Sequence, residues 1–526
     1  MTALACKRDP RNILGIPELF AMVAKFCDKS DLARLSSVCS ATFYGATPLV
    51  WKHVEGIHNI LSLLPGIRVI KQGRKSRVTL TISTRVACAP ELARLRLYLA
   101  SIRVIKIHNR VVSHYDVTSW QVLVDGLESQ TLPLNVQSLD LTSTCSDCAK
   151  YQLLWVKAFA CNSLTTVFSI PPSLSANPEM STLYLNGLVD LLAKKSPHIE
   201  KLSLFSRSDA PDTQVSIETP LISLACSAPS FESSLTALSK LQNLDCNSGV
   251  LYGGLASIGS LPQLRSLTVW PSHSALIYDT QESNLSSASF PMLNQLILRS
   301  TAPYEVEGPL KMTLMLRQIT VLRIFLDQYD WITENSWVIS GVFARLRNAP
   351  LLQDLYIQLL PGFEHTCILC TIGYQTLMDV TRVLPLRTIV LDNIYFENSE
   401  IASPFRGIQA IWSQVTYLSL PNQLVRSSDL AHIATLPNLQ YLLLTLLLSN
   451  KFPAEDSLET SGGMMLRTLN GSTRSRMRGC VVSQLATFLR RLWPNLLGVT
   501  WLAVDRTAKD ELEQLNQEIR KLGNSH

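Results

Sequence analysis

The chain has 526 residues, of which 47% are hydrophobic and 17% charged, which is long enough to bury a sizeable core and too apolar for an extended disordered chain. A formal charge of +6 is weak over this length, and the basic groups that cluster (Lys71, Arg74, Lys75 and Arg77, then Arg474, Arg476 and Arg478) lie among polar residues and glycines, so no nucleic-acid partner is expected. The 12 cysteines are scattered without a tight framework, which fits reduced, packed thiols and a cytoplasmic and/or nuclear protein rather than a disulfide-stapled one.

The first residues, MTALACKRDPRN, lack the apolar core of a secretory signal. From Ile16 to Val54 the apolar residues then recur at helical spacing. Pro17 suits the first turn of a helix, and Leu19, Phe20, Val23 and Phe26 follow on one face. Asp28 to Asp31 interrupts the pattern; Ser30 is expected as the next N-cap, with Asp31 in the positive first turn. Leu32, Leu35, Val38, Cys39 and Phe43 form a second stripe, which Gly45 and Pro48 are expected to close. Leu49, Val50, Trp51 and Val54 supply a third apolar element before Gly56. A unit of about forty residues stabilises itself poorly, so it is expected to complete its core against another protein.

These residues resemble the F-box family, especially its fungal form with a short helix ending in a leucine and tryptophan pair. The matching features are Ile16-Pro17-Glu18-Leu19, Asp31-Leu32, Leu35-Ser36, Val38-Cys39 and Leu49-Val50-Trp51, with Ile16 in place of the usual leucine and Phe43 in place of a frequent tryptophan. The resemblance implies docking on the Skp-type adaptor of a cullin-RING ubiquitin ligase. Carried over residue by residue, it makes Ile16, Pro17, Leu19, Val23, Leu32, Leu35, Val38 and Cys39 the adaptor-binding set, although some of these must instead hold the helices together. Pro17→Ala combined with Leu32→Asp is the expected disrupting pair.

Between residues 57 and 134 the pattern is irregular: Arg77 to Ile82 and Ile102 to Ile107 read as strands and Glu91 to Leu99 as a helix. From residue 135 a motif of leucine, two residues, leucine, one residue, leucine recurs. Leu264-Leu267-Val269, Leu293-Leu296-Leu298, Leu352-Leu355-Ile357 and Leu439-Leu442-Leu444 are the clearest copies. Looser ones are Leu183-Leu185, Leu202-Leu204, Leu322-Ile324, Leu386-Ile389-Leu391, Val415-Leu418-Leu420 and Leu496-Val499-Trp501. Such repeats stack short strands so that a continuous core is buried, since no single copy folds alone. The pattern resembles a leucine-rich repeat solenoid. The turn asparagine usual in that family is approached only at positions such as Asn186 and Asn393.

If the strands form one sheet, the residues between the inward leucines face outward as a target-binding row: Tyr184, Thr268, Ile297, Arg323, Tyr356, Val390, Ser419 and Leu443. The stretches 206–218, 271–289 and 453–479 read as insertions or loops. The run from Tyr441 to Leu448 reads as a buried strand, being far short of the roughly twenty residues that span a bilayer. Ala508 to Leu522 is an amphipathic helix with Leu512, Leu515, Ile519 and Leu522 on one side, expected to cap the array.

Chemical motifs are sparse. Cys145 with Cys148, and His365 with Cys367 and Cys370, have spacings that zinc uses, but neither supplies four ligands, so no metal is expected. Phosphate loops, dinucleotide glycines and zinc-protease helices are missing, the glycines around Ser257 have the wrong offset for a nucleophile elbow, and Asp510, Glu511 and Glu513 read as a solvated helix face. The expectation is therefore an α/β chain with no cofactor and no catalytic residue. It comprises F-box helices at 13–56, a linker and atypical first repeats at 57–134, an irregular leucine-rich repeat solenoid at 135–505, and a capping helix and tail at 506–526. Its partners would be a Skp-type adaptor, through it a cullin, and a protein target, with no membrane and no nucleic acid. A repeat scaffold without a ubiquitin role and an enzyme with its site in a loop insertion are the alternatives.

Overall fold

The computed structural model describes residues 16–63, 67–71, 77–82, 97–109, 112, 114–118, 134–142, 149–169, 180–207, 230–271, 285–300, 303–327, 336–360, 370–397, 405–449, 452, 464–477, 481–502 and 506–523. Two compact units divide the chain: one runs to Leu264 with Ser272–Ala275, the other comprises Arg265–Pro271 and Leu276–His526.

The first unit opens with three helices, α1 (Pro17–Ala24), α2 (Lys29–Leu35) and α3 (Ser40–Trp51). Pro17 stands in the first turn of α1, as expected. The cap of α2 is Asp28, two residues before Ser30: its carboxylate accepts the Asp31 N–H at 2.8 Å, and Ser30 lies inside the helix. The second apolar stripe is also two elements, broken at residues 36–39, and Gly45 and Pro48 do not end it but lie inside α3. Gly45 is placed by packing, since a Cβ there would lie 2.8 Å from the Phe20 ring. Phe20, Ala24, Leu32 and Ala46 form the small core of these helices, with Cys27, Leu35 and Val50 against it.

The chain then enters a ladder of parallel strands. In the first unit these are β1 (His53–Glu55), β2 (Val104–Lys106), β3 (Ser138–Asp140), β4 (Thr166–Phe168), β5 (Lys201–Leu204) and β6 (Asn243–Asn247), each beside its predecessor. The ladder thus begins well before residue 135. The strand Arg77–Ile82 belongs instead to a separate sheet with Ile67–Lys71 and His114–Thr118. Of the helix expected from Glu91, only Leu97–Leu99 lies within the described residues.

The second unit has a ladder of β7 (Ser266–Trp270), β8 (Gln295–Ser300), β9 (Val321–Asp327), β10 (Asp354–Leu360), β11 (Thr388–Asp392), β12 (Tyr417–Arg426), β13 (Tyr441–Leu448), β14 (Thr468–Gly471) and β15 (Gly498–Trp501). All are parallel and sequential.

The repeat is visible in the backbone as well as in the leucines. At most strand entries one carbonyl accepts two successive N–H groups from the next copy: Arg265 accepts from Asn294 and Gln295, Asn294 from Thr320 and Val321, and Thr320 from Gln353 and Asp354. In the first unit Arg103 accepts from Gln137 and Ser138 in the same way. The inward leucines Leu267, Leu296, Leu355 and Leu442 of the clear copies, and Leu322 and Leu418 of the looser ones, are all fully buried. Burying each such side chain contributes about 1.5 to 3 kcal/mol, which is what holds the short strands together.

Asn393 performs the turn role expected of it. At φ +59° its side chain donates to the Leu359 carbonyl at 2.6 Å, and its N–H donates to the Asn422 side chain at 2.7 Å. Asn422 in turn donates to the Asn393 side chain at 3.0 Å, linking neighbouring copies at their turns. Asn186 takes no such role, because it lies in a helix, Thr182–Lys195.

That helix corrects the expected copy at Leu183-Leu185. Its buried residues include Leu185, Leu188, Val189 and Leu192, a helical period that outweighs the short strand-like match. The stretch 453–479 is a second correction, since it contains β14, with Leu466 and Leu469 fully buried. Of the other two expected insertions, residues 208–218 and 272–284 lie outside the described residues, whereas Ser206–Arg207 pairs with Met180–Ser181 and Ser289 is buried.

At the far end the helix Arg506–Gly523 buries Leu512, Leu515 and Ile519. Asn516 accepts the Val499 N–H at 2.7 Å and donates to the Val499 carbonyl at 2.9 Å, so a side chain takes the place of the next strand on β15. Among the described residues no helix is long and apolar enough to cross a membrane.

Candidate interaction surfaces

The N-terminal helices divide their apolar residues between a closed core and an open exterior. Of the residues expected to bind an adaptor, Leu32 belongs to the core and Leu35 packs against it. Leu19 is half-buried, while Ile16, Val23 and Val38 are exposed. Pro17 contributes its place in the first turn of α1. Cys39 is half-buried at the start of α3, where its N–H donates to the Thr42 hydroxyl at 3.2 Å and its Sγ lies 3.4 Å from the same oxygen. Hydrogen bonds to the sulfur, from the Thr42 hydroxyl first and then the Thr42 backbone, hold the Cys39 thiol below its ordinary pKa.

The structure adds residues that were not in the expected docking set. Phe26 is 92% exposed, Tyr44 65% and Met22 52%, and Leu49 is exposed as well, while Val38, which was in that set, is 67% exposed. This is the densest concentration of exposed large apolar side chains among the described residues, and it arises because a core of four small helical contributions cannot enclose two aromatic rings and several aliphatic chains. Downstream segments of the first unit meet the helices elsewhere: the Trp51 and Tyr98 rings are 4.6 Å apart, and Lys29 donates to the His53 carbonyl at 2.8 Å.

The second surface lies on the ladder of the second unit. Thr268, Ile297, Arg323, Tyr356, Val390, Ser419 and Leu443 are successive register partners, so the expected row exists as one line across β7 to β13, continued by Asn470 and Thr500. Tyr184 is the exception: it is buried in the helix Thr182–Lys195 and joins no strand. Within the row Ile297, Arg323, Tyr356 and Val390 are half-buried, whereas Thr268, Ser419 and Leu443 are buried.

Side chains two positions further along share this face and were missed. Arg299 on β8 has its guanidinium 4.4 Å from the Trp270 ring centroid and 4.6 Å from that of Phe325, and Arg323 lies 4.9 Å from the Tyr356 ring. A guanidinium suits both uses, as a flat ring partner and a forked donor. At the other end of the row Tyr417 and Tyr441 stack with centroids 4.1 Å apart; burial pushes the Tyr417 phenol up to about 12, helped by its hydrogen bond with Tyr441. The signal for these residues was present in the alternation of each strand, but which of them meet depends on register, which one strand does not specify alone.

No group of three or more metal-ligating side chains comes together among the described residues. Cys145, Cys148, His365 and Cys367 lie outside them, and Cys370 begins the strand Cys370–Gly373 of a two-stranded sheet. Ser257 is buried in a short helix, and Asp510, Glu511 and Glu513 are exposed on the C-terminal one.

No family model matches this sequence, and no curated protein is significantly similar to it. Among solved structures, an internalin (inlF) from Listeria monocytogenes aligns over 92% of each chain at 13% identity with a TM-score of 0.29.

Proposed function

We propose that the chain is the substrate-receptor subunit of a Skp-cullin-F-box ubiquitin ligase, with its N-terminal helices docking the Skp-type adaptor and its repeats holding a protein target. The observation that carries this reading is the exposed apolar exterior of α1 to α3, with Phe26 and Val38 most exposed, outside a small core that is already closed. A surface of that kind is costly in water and is covered when a partner binds. The chain would perform no bond chemistry. It would raise the effective concentration of a target lysine beside the activated ubiquitin.

Phe26→Asp with Val38→Asp tests this, because both side chains are outside the core and the pair leaves the fold intact. Co-purification of the Skp-type adaptor with wild type and its loss with the variant is the expected result. Equal recovery, or no adaptor with wild type while the array still captures a target, would leave a repeat scaffold without a ubiquitin role.

A further inference from the structure

The open face of β7 to β10 carries two arginines, Arg299 and Arg323, that form no ion pair among the described residues, although both are half-buried. Their only compensation is aromatic: Arg299 sits between Trp270 and Phe325, and Arg323 over Tyr356. The Arg323 Nε is buried with no acceptor. Removing a charged donor from water without an acceptor is unfavourable, and an incoming anion at the free Nη edge would offset it. The two arginines stand on adjacent strands two register positions apart, since Arg299 pairs with Phe325 and Arg323 with Ile297. Of the described carboxylates on this face, Asp354 is aligned with Val321, two positions before the Arg323 partner Tyr356, and Asp392 is engaged by Gln358 at 3.0 Å; neither forms an ion pair with either arginine.

We propose that this face binds an acidic peptide segment, with side-chain carboxylates on Arg299 and Arg323 and an apolar neighbour against Trp270, Phe325 and Tyr356. The proposal deepens the target-binding half of the ligase reading and rests on it. Stacking restrains each guanidinium before the ligand arrives, so less freedom is lost on forming a forked pair, and the rings exclude water around it. The charge pattern also makes the site selective, because a basic segment would be repelled.

The test uses the full chain. A random peptide library is selected on wild type and on an R299Q/R323Q variant, and the best retained peptide is titrated by fluorescence anisotropy against both. Enrichment of Asp and Glu beside an aromatic or leucine is expected. The double variant, and a peptide with Gln and Asn in place of its acids, should each bind at least about tenfold more weakly. An R299K/R323K variant keeps both charges but loses fork and stack, and should fall between; it replaces the glutamine pair if that pair melts early.

Peptides retained without acidic residues, equal affinity for wild type and variants, or no retained peptide would overturn the proposal. So would binding that requires phosphoserine in place of Glu, which would assign a phosphate ligand, or preference for a labelled uridine oligomer, which would assign RNA. The R299Q/R323Q variant is expected to co-purify the adaptor as wild type does, so failure here is read separately from failure of the ligase reading.

Discussion

Asp392 closes β11 on the open face of the second unit, and burial raises its carboxyl above the ordinary aspartate value despite opposing hydrogen bonds from the Gln358 side chain and the Asn393 backbone. A raised folded value means that the native state holds the proton more tightly than the unfolded chain. The stability this group contributes is therefore present below the ordinary aspartate pKa and is lost as pH rises through the raised value. Asp392→Asn removes the charge and keeps an acceptor for Gln358, so the variant should melt higher than wild type at about pH 7, with the gap closing toward about pH 4. Calorimetry across that range checks the sign; a variant that melts lower at neutral pH refutes the account. At Cys39 the Thr42 hydroxyl is the chief group that lowers the thiol. Thr42→Val should raise the thiol and slow its alkylation by iodoacetamide, followed by mass spectrometry, with about 1 kcal/mol lost from the start of α3.

Each element shows how far local patterning reaches. The C-terminal helix is legible because Leu512, Leu515 and Ile519 recur at helical spacing, and all three are buried as that stripe requires. The role of Asn516 is not legible, since it depends on meeting Val499 across the end of the ladder. Asn516→Ala should cost about 1 to 3 kcal/mol by leaving two backbone groups of β15 without a partner, and hydrogen exchange at the Val499 amide should speed up. Leu515→Ala should cost about 2 to 5 kcal/mol through the cavity it leaves. Two of the strands that escaped the leucine pattern did so for a shared reason. β6 has Cys246 and β14 has Gly471 where other copies carry a third large aliphatic residue, yet Leu241 and Leu244, and Leu466 and Leu469, are fully buried there.

For the molecule as a whole, the exposed exterior of α1 to α3 predicts behaviour without its partner. Expressed alone, the chain should self-associate, and Phe26→Asp with Val38→Asp should shift it toward monomer by light scattering with a change in stability within about 0.5 kcal/mol. Leu32→Asp must behave differently, because it places a charge among Phe20, Ala24 and Ala46. It should abolish adaptor recovery by unfolding the helical module, visible as protease cleavage near α2, whereas the Phe26 and Val38 pair should leave the helices protected. The pair Pro17→Ala with Leu32→Asp is thus a test of folding rather than of docking.

Composition and leucine spacing sufficed for an α/β chain with N-terminal helices, a parallel repeat and a capping helix, because each rests on a period carried within one segment. The row from Thr268 to Leu443 was also readable, since a fixed offset from each leucine places successive residues on one face. Folding alone decided that Leu32 faces inward while Phe26 faces water, that Tyr184 belongs to a helix, and that Arg299 lies between Trp270 and Phe325. Those outcomes depend on which distant segments share a boundary and in what register, and no local period encodes that.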